Sequence, residues 1–161
     1  ISDTTSATVT GLEHATRYMF RVYAVNAVGT SDPSNAPGPN GSTAWQPGAP
    51  ESLGGTQGVG EIDLSWTSPY PYDGGSPVTD YIVEYATCSL PCDFSDGGGS
   101  WADSGVTWTT FSDGISDTTS ATVTGLEHAT RYVFRVYAVN AVGTSDPSNA
   151  PGPNVVTAPS P

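Results

Sequence analysis

Forty residues of this chain occur twice. Residues 1–40 recur as 115–154, offset by 114 positions and differing only where Met19 stands against Val133. A period of that length is a whole domain repeated in tandem rather than the unit of a short solenoid. The identity extends to positions that no core requires, which marks a recently duplicated array. The chain therefore divides into the tail of one module with its linker, 1–45, and a complete module, 46–161.

The duplicated segment reads as a buried strand entered through a tight corner. After Gly125, Leu126 and His128, the residues alternate: Tyr132, Phe134, Val136 and Ala138 fall on one side, Val133, Arg135, Tyr137 and Val139 on the other. Period two is the signature of a strand, and the arginine identifies the side that meets water. Gly143 turns the chain back into a proline-interrupted last strand over 144–157.

The remaining strands precede it in the complete module. Residues 50–57 form a weak, Gly- and Pro-containing edge strand anchored by Leu53. Residues 61–66 alternate strictly and bury Ile62, Leu64 and Trp66. A loop over 67–77 leads to a third strand, 79–87, with Tyr81, Val83 and Tyr85 inward and Asp80, Ile82 and Glu84 outward. A Gly/Ser/Asp insertion over 88–105 separates it from a short strand, 106–111, that carries Trp108. Residues 120–124 then lead into the corner. Seven short strands without helical periodicity predict an all-β fold, a two-sheet sandwich.

These motifs, taken in order, resemble the fibronectin type III domain, an immunoglobulin-like seven-strand β-sandwich. The resemblance rests on Trp66 of the second strand, Tyr81-x-Val83-x-Tyr85 of the third, and Leu126-x-x-x-Thr130-x-Tyr132-x-Phe134-x-Val136-x-Ala138-x-Asn140. It covers 47–158 and, in residues 1–44, the part carrying strands E, F and G. It implies that Tyr132 is a tyrosine corner whose hydroxyl bonds back to backbone near Leu126, and that strand C lies beside strand F. Two features depart from the family pattern: His128 stands where proline is common, and the 88–105 insertion is long. Trp66, Tyr81, Tyr85, Leu126, Tyr132, Phe134 and Val136 are then core residues. Residues 1–44 carry no first three strands, so another segment, from the same or another chain, must close that sandwich.

Charge narrows the partners. The chain has four arginines, no lysine and sixteen acids, a net charge of −12. Such a surface repels nucleic-acid phosphates and anionic lipid headgroups, which removes both as partners. The apolar runs are too short to insert into a bilayer. No signal-like segment opens the chain, and Ile1 is not a natural translation start. Cys88 and Cys92 flank a turn through Pro91, and a disulfide is favoured over two free thiols. It would close a small loop, contribute about 2 kcal/mol and point to an extracellular setting. Zinc would need two further ligands, and neither histidine is near in sequence.

Chemistry is sparse. No nucleophile–base motif, zinc-protease motif or phosphate-cradling glycine loop occurs, and His14 and His128 sit in exposed corners, so no enzyme is expected. No cofactor is expected either. Asp93, Asp96 and Asp103 are the candidate calcium ligands, although their spacing matches no established calcium loop and a solvated loop is favoured. Tyr70, Tyr72 and Trp101 are loop aromatics able to stack on sugar rings. Asn40-Gly-Ser42 is a glycosylation sequon. Trp45, in the Pro/Gly-rich linker, together with Arg131, Arg135 and Tyr137 on the outward side of strand F, are candidate interface residues. Asp80 and Glu84 are the expected cross-strand partners of the two arginines.

The expected function is a non-enzymatic structural or adhesive repeat of an extracellular fibre, stalk or cell-surface protein, whose partners are neighbouring copies of itself, as tandem modules or a homopolymer. A glycan or surface protein is a further candidate partner. The alternative is a spacer or carbohydrate-associated module of a secreted polysaccharide-degrading enzyme.

Overall fold

The computed structural model describes residues 3–34, 41–87, 106–148 and 155–160. The chain forms two compact units, Ile1–Trp45 and Gln46–Pro161. Among the described residues every regular element is a strand: β1 (Arg17–Tyr18), β2 (Gly41–Ser42), β3 (Glu51–Gln57), β4 (Glu61–Thr67), β5 (Asp80–Thr87), β6 (Thr109–Thr110), β7 (Ser120–Thr124), β8 (Arg131–Val139) and β9 (Val155–Val156).

The second unit is a two-sheet antiparallel sandwich. One sheet has the order β3-β4-β7 and the other β6-β5-β8-β9. In β4, Ile62, Leu64 and Trp66 are buried while the residues between them are not, so the period-two pattern places one whole side of the strand inward. Ile62 lies opposite Val123 of β7. The facing sheet contributes Tyr81 and Val83 from β5 and Tyr132, Phe134, Val136 and Ala138 from β8. Trp66 meets Tyr81 across the gap edge-on, with ring centroids 5.3 Å apart at 63°. Tyr85 and Tyr132 adopt a similar arrangement at 6.0 Å. Edge-to-face contact brings the positive ring edge to the negative ring face, so these pairs add orientation to the area they bury.

The corner before β8 is closed by hydrogen bonds. The Glu127 backbone N–H donates to the Tyr132 hydroxyl at 3.1 Å. Thr157, almost fully buried, donates from its hydroxyl to the Glu127 carbonyl at 2.6 Å and accepts from the Thr130 N–H at 3.0 Å. His128 and its counterpart His14 are exposed.

Two sequence-based strand limits change, and one edge strand carries a bulge. Thr144 bridges to Val139, but 145–148 follow β8 in another way. Ser145 and Ser148 offer their hydroxyls to the N–H groups of Ala138 and Val136, at 2.9 and 3.0 Å, while their own N–H groups donate to the carbonyls of the same residues. Serine side chains thus complete a ladder beside Pro147, which has no N–H to give. The short strand expected over 106–111 narrows to Thr109–Thr110, with Trp108 outside it. In β3, a bulge between Glu51 and Gly54, with Ser52 at φ 54°, interrupts the edge; bulges of this kind blunt pairing with foreign strands.

The first unit repeats the corner but not the sandwich. The Glu13 N–H donates to the Tyr18 hydroxyl at 3.0 Å, and Thr43 ties the corner as Thr157 does. Yet only Arg17–Tyr18 of the segment equivalent to β8 is a strand, paired with Gly41–Ser42. The expected counterpart of β7, residues 6–10, is not a strand. These residues match in the two units except for Met19 against Val133, so the difference lies in the neighbouring strands that only the second unit has. Val136 is fully buried against the other sheet, whereas Val22 is 70% exposed. Each buried aliphatic side chain contributes about 2 kcal/mol. In urea unfolding, Val136→Ala is therefore expected to destabilise the second unit by about 2 kcal/mol, and Val22→Ala to change stability by less than about 0.5 kcal/mol.

Candidate interaction surface

Strand β8 turns Val133, Arg135, Tyr137 and Val139 away from the sandwich interior. On this outer side the register sets Glu84 of β5 directly opposite Arg135. The Arg135 Nε and Nη2 both donate to Glu84 Oε2. The pair is about four-fifths buried on each side, 21% and 19% exposed, which shields it from salt better than an open surface pair. The guanidinium also lies over the Trp108 ring, 4.2 Å from its centroid, and 5.4 Å from that of Tyr137. Thr110 of β6 donates its hydroxyl to the other Glu84 oxygen at 3.4 Å. The result is a layered cluster of Trp108, Arg135, Tyr137 and Glu84 in which the module's central cation is held by a carboxylate and two ring faces.

Tyr137 answers to the same surroundings. Partial burial pushes its hydroxyl above the ordinary value of 10.0; Arg135 works against the rise, and Glu84, which accepts a hydrogen bond from the phenol, adds to it. The neutral phenol is thereby the form the fold prefers.

The other proposed partners are placed differently. Asp80 sits at the far end of β5, opposite Val139. Its Oδ1 accepts the Ser116 N–H at 3.0 Å, so it does not pair with either arginine as expected from the sequence. Asp80 lies four residues from Glu84 along β5, a rise of about 13 Å, too far for Arg135 to reach both. Arg131 lies at the start of β8 opposite Val156 and forms no ion pair among the described residues. Trp45 ends the first unit with 44% of its surface exposed. The core residues singled out from sequence are placed inside: Trp66, Tyr81, Leu126, Tyr132, Phe134 and Val136 are buried, and Tyr85 packs against them partly buried.

Tyr70 and Tyr72, 79% and 69% exposed, project from the loop between β4 and β5. That loop is braced by the Tyr72 N–H donating to the Pro69 carbonyl and by the Asn140 side-chain amide donating to the Asp73 carbonyl. Cys88, Cys92, Asp93, Asp96, Trp101, Asp103 and Asn40 lie outside the described residues. Among the described residues no three His, Cys, Asp or Glu side chains gather as metal ligands, and no helix is long and apolar enough to cross a membrane.

Sequence reasoning did not foresee Trp108 as the stacking partner of Arg135. The signal was its place just before the short strand that pairs with β5; the intervening 88–105 insertion hides the register that brings Trp108 and Arg135 together.

A two-sheet antiparallel sandwich with a tyrosine corner, built on a tandemly repeated sequence, defines a structural module. The chain belongs to the fibronectin type III domain family, whose model matches residues 1–37 and 48–151. It is similar to Myomesin-2 of Homo sapiens, 31% identical over 98% of this chain and 10% of that protein. It is also similar to Cell adhesion molecule Dscam1 of Drosophila melanogaster, 31% identical over 90% of this chain and 6% of that protein. Among solved structures, domains A168–A170 of titin match with 30% identity and a TM-score of 0.57, covering 73% of this chain and 34% of that one. The chain thus spans about a tenth or less of Myomesin-2 and Dscam1.

Two outcomes are expected of this cluster. Arg135→Ala should lower stability by about 1–2 kcal/mol in chemical denaturation, because a shielded ion pair and a ring contact are lost together, and Arg135→Lys should recover less than half of it. A phenol whose value is raised on folding stabilises the fold while protonated. Its contribution is complete below about pH 10, the unfolded value, and disappears as pH climbs through the higher folded value. The urea midpoint should therefore fall more steeply above that pH for the parent than for Tyr137→Phe.

Proposed function

We propose that this chain is a non-enzymatic building block of a repeat array in a secreted or cell-surface protein, where it acts as a structural or adhesive spacer. The observation that carries this reading is the forty-residue duplication with one difference. Selection on a unique binding site lets surface positions of neighbouring modules drift apart, whereas an array that works by number and spacing keeps its copies alike. The first partners are then neighbouring copies of the same module. The relation to a protein named as a cell adhesion molecule supports the adhesive reading. The Cys88/Cys92 spacing supports an oxidising compartment. The net charge of −12 supports a soluble, mutually repelling surface that keeps adjacent modules from collapsing on one another.

The second reading, an accessory module of a secreted polysaccharide-degrading enzyme, is favoured by one feature. Tyr70 and Tyr72 stand exposed on a single braced loop, in reach of a sugar ring. One loop offers less platform than a stacking site commonly uses, so the array reading is preferred.

An antibody raised against this chain should label intact, unpermeabilised source cells or their secreted matrix. Labelling that appears only after permeabilisation would contradict the proposal.

A further inference from the structure

The chain contains three Asp–Gly dipeptides, at 73–74, 96–97 and 113–114. The second lies outside the described residues; the other two stand in opposite surroundings. A glycine after an aspartate leaves the next backbone nitrogen without a side chain beside it, so that nitrogen can reach the aspartate's own carboxyl carbon. How firmly the fold holds the two groups decides whether it does.

Asp73 is held. Its Oδ1 accepts the Gly75 N–H at 2.9 Å, which fixes the carboxyl over the turn. Its backbone carbonyl accepts from the Asn140 side-chain amide at 2.9 Å, and Asn140 is itself buried. Gly74, which carries the attacking nitrogen, is buried too. Bringing the Asp73 carboxyl onto that nitrogen means breaking the bond to Gly75 and opening the loop between β4 and β5.

Asp113 is not held. It lies in the crossing from β6 to β7, which is tied at its two ends. The Phe111 N–H donates to the Val83 carbonyl at 2.9 Å, and the Ser116 carbonyl accepts the Tyr81 N–H at 3.2 Å. The Ser116 N–H donates in turn to Asp80 Oδ1. Between these ties residues 112–115 are all exposed, Ile115 by 87%. Among the described residues none of the four makes a hydrogen bond. Gly114 has a φ of 84°, with open space where a Cβ would stand. The carboxyl and the nitrogen beside it can therefore meet with no bond to break first.

We infer that Asp113–Gly114 is a site of spontaneous isoaspartate formation, and that the fold protects Asp73–Gly74 from the same reaction. The Gly114 nitrogen attacks Asp113 Cγ. An N–Cγ bond forms, the C–OH bond breaks, and the hydroxyl leaves as water with the amide proton. Water then opens the cyclic imide. Addition at Cγ breaks the new bond and restores aspartate. Addition at the Asp113 backbone carbonyl carbon breaks the original peptide bond, so the chain runs through Cβ and Cγ and the carboxyl is left on Cα. One water is lost and one regained, and no oxidant, reductant or cofactor takes part. The added backbone carbon falls within the exposed span between Phe111 and Ser116.

Ageing the intact chain at neutral pH in heavy-oxygen water tests this. Chymotrypsin then cuts after Tyr72 and Phe111, and the peptides are mapped by mass spectrometry. Each passage through the imide exchanges one carboxyl oxygen, and the isoaspartyl peptide elutes apart from its parent. In the folded chain the peptide beginning at Ser112 should accumulate isoaspartate at least about fivefold faster than the one beginning at Asp73. In concentrated urea the two rates should fall within about twofold of each other, because the constraints on Asp73 are lost with the fold. A folded-state ratio below fivefold overturns the inference. So does a ratio that survives in urea, since the neighbouring sequence rather than the fold would then set it.

Discussion

The structure depends on the pairing of β5 with β8 and on the apolar sheet face that this pairing holds against β4 and β7. A strand such as Arg131–Val139 has one face too apolar for water, and its backbone groups on both edges need partners. β5 satisfies one edge along its full length, from Asp80 against Val139 to Thr87 against Tyr132. β4 and β7 cover the face with Ile62, Leu64, Trp66 and Val123. The two units act as an internal control. Where the covering strands are present the sequence is a nine-residue strand; where they are absent it is a strand for two residues. Tertiary context, rather than the intrinsic preference of these residues, decides the outcome.

The local devices survive that loss. The tyrosine corner, the serine hydroxyls at Ser31 and Ser34 and the Asn26 turn form in both units because each closes over a few residues of the chain. They hold the corner and the turns in the same shape in both units. The outer side of the sheet follows the same rule at long range. Arg21 and Arg135 have the same neighbours in sequence, but only Arg135 finds a carboxylate and a tryptophan, because both come from β5 and the β6 region.

Much of this was legible in the sequence. The strict alternation in 61–66 and 131–139 specified which residues enter the core, and the family resemblance fixed the order of strands. The 114-residue offset exposed the repetition of a whole module. What was not legible depended on register. Asp80 was a reasonable partner for an arginine by position on its strand, but the pairing sets it opposite Val139 and beside Ser116. Trp108 follows an insertion whose length conceals where the chain re-enters the sheet. The extent of the last strand was obscured because Ser145 and Ser148 reproduce ladder bonds with side chains, a substitution that alternation of apolar residues does not reveal.

The central claim is that cover by β4 and β5, and not the sequence of the segment itself, creates the buried strand. Valine methyl resonances measure it directly, since Val22 and Val136 occupy identical sequence positions in one molecule. The account expects the Val136 methyls to be displaced by the ring currents of the core aromatics, and those of Val22 to stand near the values of solvent-exposed valine. Equal displacement of both in the monomeric chain would contradict it.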